Sequence, residues 1–179
     1  MAVRKAKLVL LCEDSQHEAF VRRFLEAAGW DRRAIRVEKA QRGSGEQWVR
    51  QRYPVELRAR RSGPATALVV VVDGDGRTVA QRLQELNASC RSENVATRDA
   101  GEPVAIFVPC RNIETWIAYL DGDSVDEQRA YPRLRRERDC APAVRSLKAM
   151  CDAASLRPPV VPSLQAACTE YARIATFPR

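Results

Sequence analysis

The stretch LVVVVDGDGRT, residues 68–78, constrains the fold more than any other part of the sequence. A β-branched apolar run without polar alternation predicts a short strand that is buried on both faces, as in parallel sheets covered by helices. Asp73 and Asp75 follow at the carboxyl end of this strand, and their spacing predicts that both carboxylates lie on one side. Ligands of open α/β sheets bind at that end, so the stretch indicates either a metal site or an acidic Asp-Gly turn.

Strands and helices alternate along the rest of residues 7–120. Further apolar runs at residues 7–12, 35–40 and 104–108 predict three more strands, each followed by a helical pattern. This order predicts an α/β fold with a mainly parallel four-stranded sheet flanked by helices. We expect this domain to span residues 1–122, and residues 123–179 to form a basic helical C-terminal extension packed on it.

Three local expectations concern the helices. Ser15 is expected to cap the helix after the first strand, with Glu18 as its capping-box partner. His17, in the first turn of that helix, is expected to be a surface residue rather than a catalytic one. Pro54 is expected to break or kink the helix predicted over residues 46–61.

Acidic residues follow three of the predicted strands. Glu13 comes directly after the first strand, Asp73 and Asp75 follow the third, and Glu114 lies shortly after the fourth. If the first and third strands are neighbours, Glu13 and the two aspartates face one crevice. Hard oxygen ligands favour Mg²⁺ or Mn²⁺, and the single histidine and the absence of a C-x-x-C pair argue against zinc. Metal ions there could activate a water in phosphodiester cleavage, with Glu13 as a ligand or a general acid or base.

The charge of the chain favours a polyanionic substrate or partner. Lys and Arg number 30 against 23 Asp and Glu, for a formal net charge of +7. Arginine binds phosphate bidentately, and we expect contacts to nucleic acid from Arg42, Arg77 and Arg111, which flank the predicted strand ends.

Cysteine content and hydropathy bear on the compartment. None of the six cysteines forms a C-x-x-C pair, and we expect reduced thiols in a cytoplasmic protein. The N-terminal run MAVRKAKLVLLCEDS is interrupted by two acids, so neither a signal peptide nor a membrane span is expected.

Two segments together resemble a known family. CEDSQHEAFVRRFL and VVVVDGDG resemble the Toprim domain of topoisomerases, primases and overcoming-lysogenization-defect nucleases, in which a glutamate follows the first strand and D-x-D a later one. RNIETWIAYL is similar to a motif of small stand-alone Toprim-like proteins that are often associated with bacterial defence systems. The resemblance covers roughly residues 7–120.

The resemblance implies a compact α/β domain, Mg²⁺ at the acidic cluster and cleavage of nucleic-acid strands. Glu13, Asp73 and Asp75 match the acidic motif, and Glu114 is a candidate fourth member. Asp14 and His17 depart from the glycine and the acid that many members have there. The expected function is an Mg²⁺-dependent endonuclease of DNA or RNA within an anti-phage system. The sequence contains no P-loop, so any energy-driven step needs a separate ATPase subunit, and a homo-oligomer is a further candidate assembly.

Two alternatives are kept, a non-catalytic subunit and a receiver-like domain, and the sequence disfavours a third, a phosphatase. The chain could be a non-catalytic regulatory or binding subunit that keeps the Toprim-like fold. LLCEDSQHEAFVRRFLEAAGW also resembles the opening of a receiver domain, in which an acidic pair holds Mg²⁺ and Asp73 would accept phosphate. D-x-D-G after an apolar run is similar to haloacid-dehalogenase-like phosphatases, although those place it after the first strand.

Overall fold

The computed structural model describes residues 7–178, in which four strands alternate with four α-helices and two further α-helices follow. The strands are β1 (Leu8–Cys12), β2 (Ile35–Lys39), β3 (Ala67–Val71) and β4 (Val104–Phe107). The helices are α1 (Ser15–Ala27), α2 (Gly45–Ser62), α3 (Val79–Ser92), α4 (Ile113–Leu120), α5 (Ala141–Asp152) and α6 (Pro162–Ala175).

The four strands form one parallel sheet in the order β2-β1-β3-β4. The predicted α/β class with a parallel four-stranded sheet is therefore confirmed. β1 and β3 are neighbours in register, with Leu8 opposite Ala67 and Cys12 opposite Val71. The strands of a parallel sheet all end at the same edge, so the residues after β1 and β3 meet there.

Helices cover both faces of the sheet. Alternate residues of β1 point to opposite faces, so Leu8 and Leu10 join one core and Val9 and Leu11 the other. The first core also includes residues of α1, α4, α5 and α6, and the second includes residues of α2 and α3. This double cover explains why the strands consist almost entirely of apolar residues.

Helix α6 packs along β4, and one of its acids completes the hydrogen bonding of that strand. The Glu170 carboxylate accepts a hydrogen bond from the Ile106 N–H at 2.8 Å. It also binds the Arg98 guanidinium, which donates to the Val104 carbonyl at 2.7 Å. A pair of oppositely charged side chains thus satisfies one donor and one acceptor of β4.

Two expectations about local structure and chemistry need correction. Pro54 does not break helix α2, which continues through it as one element, although proline cannot donate the interior hydrogen bond. A disulfide joins Cys151 of α5 to Cys168 of α6, so these thiols are not reduced as expected. Cys12, Cys90, Cys110 and Cys140 are free and buried.

No helix within residues 7–178 is long and apolar enough to cross a membrane. Residues 1–6, the first part of the N-terminal run MAVRKAKLVLLCEDS, lie outside the described part of the chain.

Candidate active site

Glu13 and Asp73 meet at the carboxyl edge of the sheet. Glu13 directly follows β1, and Asp73 lies just beyond the neighbouring strand β3. The Asp73 N–H donates a hydrogen bond to the Glu13 carboxylate, with 2.6 Å between nitrogen and oxygen. The sequence predicted this meeting on the condition that the first and third strands are neighbours. That condition holds, and two of the predicted acids lie side by side.

His17 is the third member of this group, and its expected surface position is wrong. The imidazole is only 1% exposed, and its Nε2 lies 2.9 Å from a carboxylate oxygen of Asp73. Burial alone would lower the pKa of His17, but the charge of Asp73 and the hydrogen bond to it raise that pKa to about 9. At neutral pH the pair is an imidazolium beside a carboxylate.

The start of α1 explains why His17 turns inward. Asp14, rather than the expected Ser15, is the N-cap residue, and its carboxylate accepts from the His17 N–H at 2.9 Å. Asp14 thereby satisfies one of the free N–H groups of the first turn. His17 then lies on the side of α1 that faces the sheet edge.

The pKa of the Glu13 carboxyl is raised to near neutral pH. Burial raises its pKa, the positive charge of His17 lowers it, and the charge of Asp73 raises it again, to about 7. Space beside Glu13 is tight because α2 begins there. A Cβ built on Gly45 would lie 2.7 Å from the Cβ of Glu13, so a glycine allows the helix to approach.

Glu114 belongs to the same electrostatic group. It lies in the first turn of α4 and is buried. Burial raises the pKa of Glu114, and the charge of Asp73 raises it further. Arg133, in the loop before α5, lies 3.4 Å from Glu114 and 2.8 Å from Asp14, measured from nitrogen to carboxylate oxygen.

Asp75 does not join Glu13 and Asp73. Its side chain is 60% exposed, and the nearest cation is Arg82, 3.8 Å away. Its backbone has a positive φ of 50°, an uncommon conformation that Asp tolerates better than most residues. The two-residue spacing predicted a common side because it assumed extended backbone, but the strand has ended before Asp73.

The DGDG turn is held against the loop between β4 and α4. The Gly74 N–H donates to the Pro109 carbonyl at 2.6 Å, and the Asp75 N–H donates to the Arg111 carbonyl at 3.2 Å. A Cβ on Gly74 would lie 2.2 Å from the Cys110 carbonyl oxygen, which only glycine avoids. These contacts couple the loop after β3 to the segment that carries Glu114.

Arg82 fixes the turn from the other side. Its side chain is 1% exposed, and it donates to the Gly74 carbonyl at 3.0 Å. It also binds the carboxylates of Glu46 and Glu85, each at 2.6 Å. The guanidinium thus ties α2, α3 and the turn together.

The three arginines expected to contact nucleic acid have different surroundings. Arg42 is exposed in the loop before α2. Arg77 is half-exposed and pairs with Glu85 at 2.6 Å, and Arg111 has a guanidinium nitrogen 3.9 Å from the Cβ position of Gly76. Arg77 and Arg111 therefore flank the DGDG turn, but nothing in these contacts assigns them a ligand.

A preformed metal cage is not present: among residues 7–178 no group of three or more His, Cys, Asp or Glu side chains is arranged to hold an ion. The donor set nevertheless fits a hard divalent cation. Glu13, Asp73 and Glu114 offer carboxylate oxygens, and the raised pKa values of the two glutamates reflect negative charge and burial that a cation would offset. Mg²⁺ keeps several waters, so two or three carboxylates suffice.

Sequence reasoning missed His17, Arg82 and Arg133. His17 had a usable signal, because it lies four residues after Glu13, in the first turn of a helix next to the predicted site. Arg82 and Arg133 had none, since one arginine among many gives no sign of being buried or of reaching a distant acid.

No protein-family model, curated protein or solved structure matches this chain.

Proposed function

We propose that the chain is an Mg²⁺-dependent enzyme that cleaves phosphodiester bonds of nucleic acid, as the resemblance to Toprim-like nucleases implies. One observation carries the proposal. Glu13, Asp73 and Glu114, from three segments, are electrostatically coupled at the carboxyl edge of a parallel sheet, beside a buried histidine and an arginine. A structural role would not require a buried and a half-buried glutamate that both have raised pKa values.

The residues fall into distinct roles. Glu13 and Asp73 would hold the ion, and Asp75 could reach it only by a rotation of its exposed side chain. Bound there, Mg²⁺ would polarise the phosphodiester and stabilise the departing oxygen. His17 contacts the Asp73 carboxylate and would fix it in place. Glu114, whose raised pKa suits proton transfer, would take the proton of the attacking water.

Metal binding can be tested without activity, because His17 is the only histidine in the chain. A divalent cation at Asp73 competes with the imidazolium, so adding Mg²⁺ or Mn²⁺ is expected to lower the pKa of His17 from about 9. Nuclear magnetic resonance titration of the single imidazole measures this. Glu93→Gln, which changes an exposed acid at the end of α3, is the control and is expected to leave the response intact. A pKa of His17 that stays the same at saturating metal concentration would contradict the assignment of Glu13 and Asp73 as metal ligands.

Catalysis is tested with plasmid DNA and with RNA incubated with the purified chain and Mg²⁺. Glu13→Gln, Asp73→Asn and Glu114→Gln are each expected to reduce cleavage by at least about 100-fold, because each loses a group acting on the transition state. Glu93→Gln is expected to cleave as the wild type does. Metal binding without cleavage of either substrate would instead support a non-catalytic regulatory subunit.

The strand order favours a second candidate, a receiver-like phosphoacceptor. β2-β1-β3-β4 is the start of the 2-1-3-4-5 order of flavodoxin-like domains, which include receivers. Asp73 follows β3, where such a domain would accept phosphate, and Glu13 and Asp14 follow β1. Incubation with acetyl phosphate and Mg²⁺ followed by intact-mass measurement tests this: a phosphate adduct lost in Asp73→Asn supports the receiver, and an unmodified chain excludes it.

A further inference from the structure

A pocket of about 670 Å³ lies between α1 and the segment 133–138, beside the candidate active site. Ser15, Gln16 and Ala19 line it from the first turns of α1. The facing wall belongs to an arginine-rich stretch, residues 133–138, of the C-terminal extension that the sequence predicts to be basic. That stretch folds back against α1, where the Ser15 hydroxyl binds the Glu137 carboxylate.

Positive charge dominates this pocket. Its lining includes one carboxylate, that of Glu137, and five arginines: Arg23, Arg133, Arg135, Arg136 and Arg138. Arg133 and Arg136 pair with acids. Arg135 and Arg138 are exposed and have no ion-pair partner anywhere in residues 7–178. Unneutralised guanidinium groups that share a concave wall are suited to anionic ligands.

A buried amide at the base of the pocket lacks a partner. Gln16 is 2% exposed, and its Nε2 is buried without a hydrogen-bond partner. Buried polar groups are nearly always paired, so an orphaned donor in a pocket wall indicates a missing acceptor.

The pocket lies next to the carboxylate group. Ser15 and Gln16 directly follow Glu13 and Asp14 in the chain, and Arg133 contacts both Asp14 and Glu114. The segment 133–135 also lines a neighbouring pocket of about 410 Å³ that includes Glu114. A strand lying in the first pocket would therefore pass the acids.

We propose that this pocket, the arginine pocket, binds phosphate groups of a nucleic-acid strand next to the bond held at the carboxylates. Arg135 and Arg138 contact the phosphates, and Gln16 donates to one phosphate oxygen at the base. Only the identity of the ligand as nucleic acid rests on the proposed function; the anion chemistry of the pocket does not. A volume well above that of one phosphate and five guanidinium groups suit a chain of phosphates rather than a single ion.

The test is the affinity for a short fluorescein-labelled single strand, DNA or RNA, measured by fluorescence anisotropy over a range of salt concentrations without divalent metal. Arg135→Ala/Arg138→Ala is compared with Arg33→Ala/Arg91→Ala, which removes the same charge from exposed arginines outside the pocket. Each lost phosphate contact lowers the slope of log K against log salt by about 0.7 for single strands, so the pocket variant is expected to lose about 1.4. The control variant keeps the wild-type slope, and equal slopes in the two variants overturn the proposal.

Gln16→Met provides a second measurement, because it removes the amide donor and keeps a similar side-chain volume. Loss of a hydrogen bond to a charged acceptor is expected to weaken strand binding about tenfold. Unchanged affinity refutes the role of Gln16. Inorganic phosphate serves as a competitor: displacement of the strand only at high ionic strength supports a strand site, whereas displacement at low phosphate concentration assigns the pocket to a free anion.

These outcomes separate the two proposals. Strand binding that depends on Arg135 and Arg138 without any cleavage retains the pocket and removes the nuclease. Cleavage that survives Arg135→Ala/Arg138→Ala with unchanged binding retains the nuclease and removes the pocket.

Discussion

Replacing Asp73 with Asn is expected to lower the pKa of His17 sharply. In the folded wild-type protein that pKa is about 9, against 6.5 for an ordinary histidine, and Asp73 supplies the largest influence that raises it. Asn keeps the size of the side chain and removes its charge. Burial, which is the largest influence of all and lowers the pKa, is then opposed mainly by the charges of Glu13 and Asp14. The pKa is therefore expected to fall toward or below 6.5.

The same pair makes stability depend on pH. Because the folded pKa of His17 lies above the unfolded one, protonated His17 stabilises the protein fully below pH 6.5, and this contribution is lost as pH rises through about 9. A difference between 6.5 and about 9 corresponds to about 3 kcal/mol at about 1.4 kcal/mol for each pH unit. In Asp73→Asn the decline between about pH 7, below which the raised pKa of Glu13 also contributes, and about pH 9 is expected to disappear.

Two measurements on metal-free protein check this reasoning. Nuclear magnetic resonance follows the imidazole of His17 against pH, with no assignment problem in a chain with one histidine. Urea unfolding between pH 6.5 and 9 gives the free energy of unfolding for both proteins. A wild-type His17 that titrates near 6.5, or a pKa that is the same in Asp73→Asn, would refute the buried ion pair.

Three further predictions concern the framework around the site. Arg82→Met removes the donor that two carboxylates and a carbonyl share, and is expected to lower the free energy of unfolding by about 3 kcal/mol in urea titrations. A loss below about 1 kcal/mol would contradict the proposal that Arg82 holds α2, α3 and the turn together. Cys151→Ser/Cys168→Ser opens a link between residues 17 apart and is expected to cost about 3 kcal/mol, with the reduced wild type behaving as the variant does. Gly74→Ala forces a Cβ within 2.2 Å of a backbone oxygen and is expected to cost about 2 kcal/mol, while Gly101→Ala, with 3.5 Å to its nearest atom, costs less.

The sheet was predictable because its signal is local and strong. Apolar runs of the right length, separated by helical patterns, predicted the four strands, and the acids after β1 and β3 then had to meet if those strands were neighbours. The sequence pattern did not show that β1 and β3 are neighbours, since the order of the strands depends on how the crossover helices pack. The division at residue 122 also stays a prediction, although residues of α5 and α6 share a core with β1 and β3.

Side-chain direction in the turns could not be predicted. The placement of Asp75 away from Asp73 depends on a positive φ that the DGDG letters permit but do not require. The burial of His17 follows from capping by Asp14 rather than Ser15, a shift of one residue at the start of α1. Such shifts rotate a helix by about 100° per residue and decide which side chain faces the site.

The Arg98–Glu170 pair has a consequence for self-association. β4 ends the sheet, and a bare terminal strand offers its free N–H and carbonyl groups to any other extended chain. Glu170 occupies the Ile106 donor and Arg98 the Val104 acceptor, in the way that an additional strand would. Two side chains thereby occupy backbone hydrogen-bonding groups of this edge strand, and helix α6, which carries Glu170, holds them in place. Protection of β4 against amyloid-like pairing with another extended chain thus depends on Glu170 of α6, which lies more than sixty residues away in the chain.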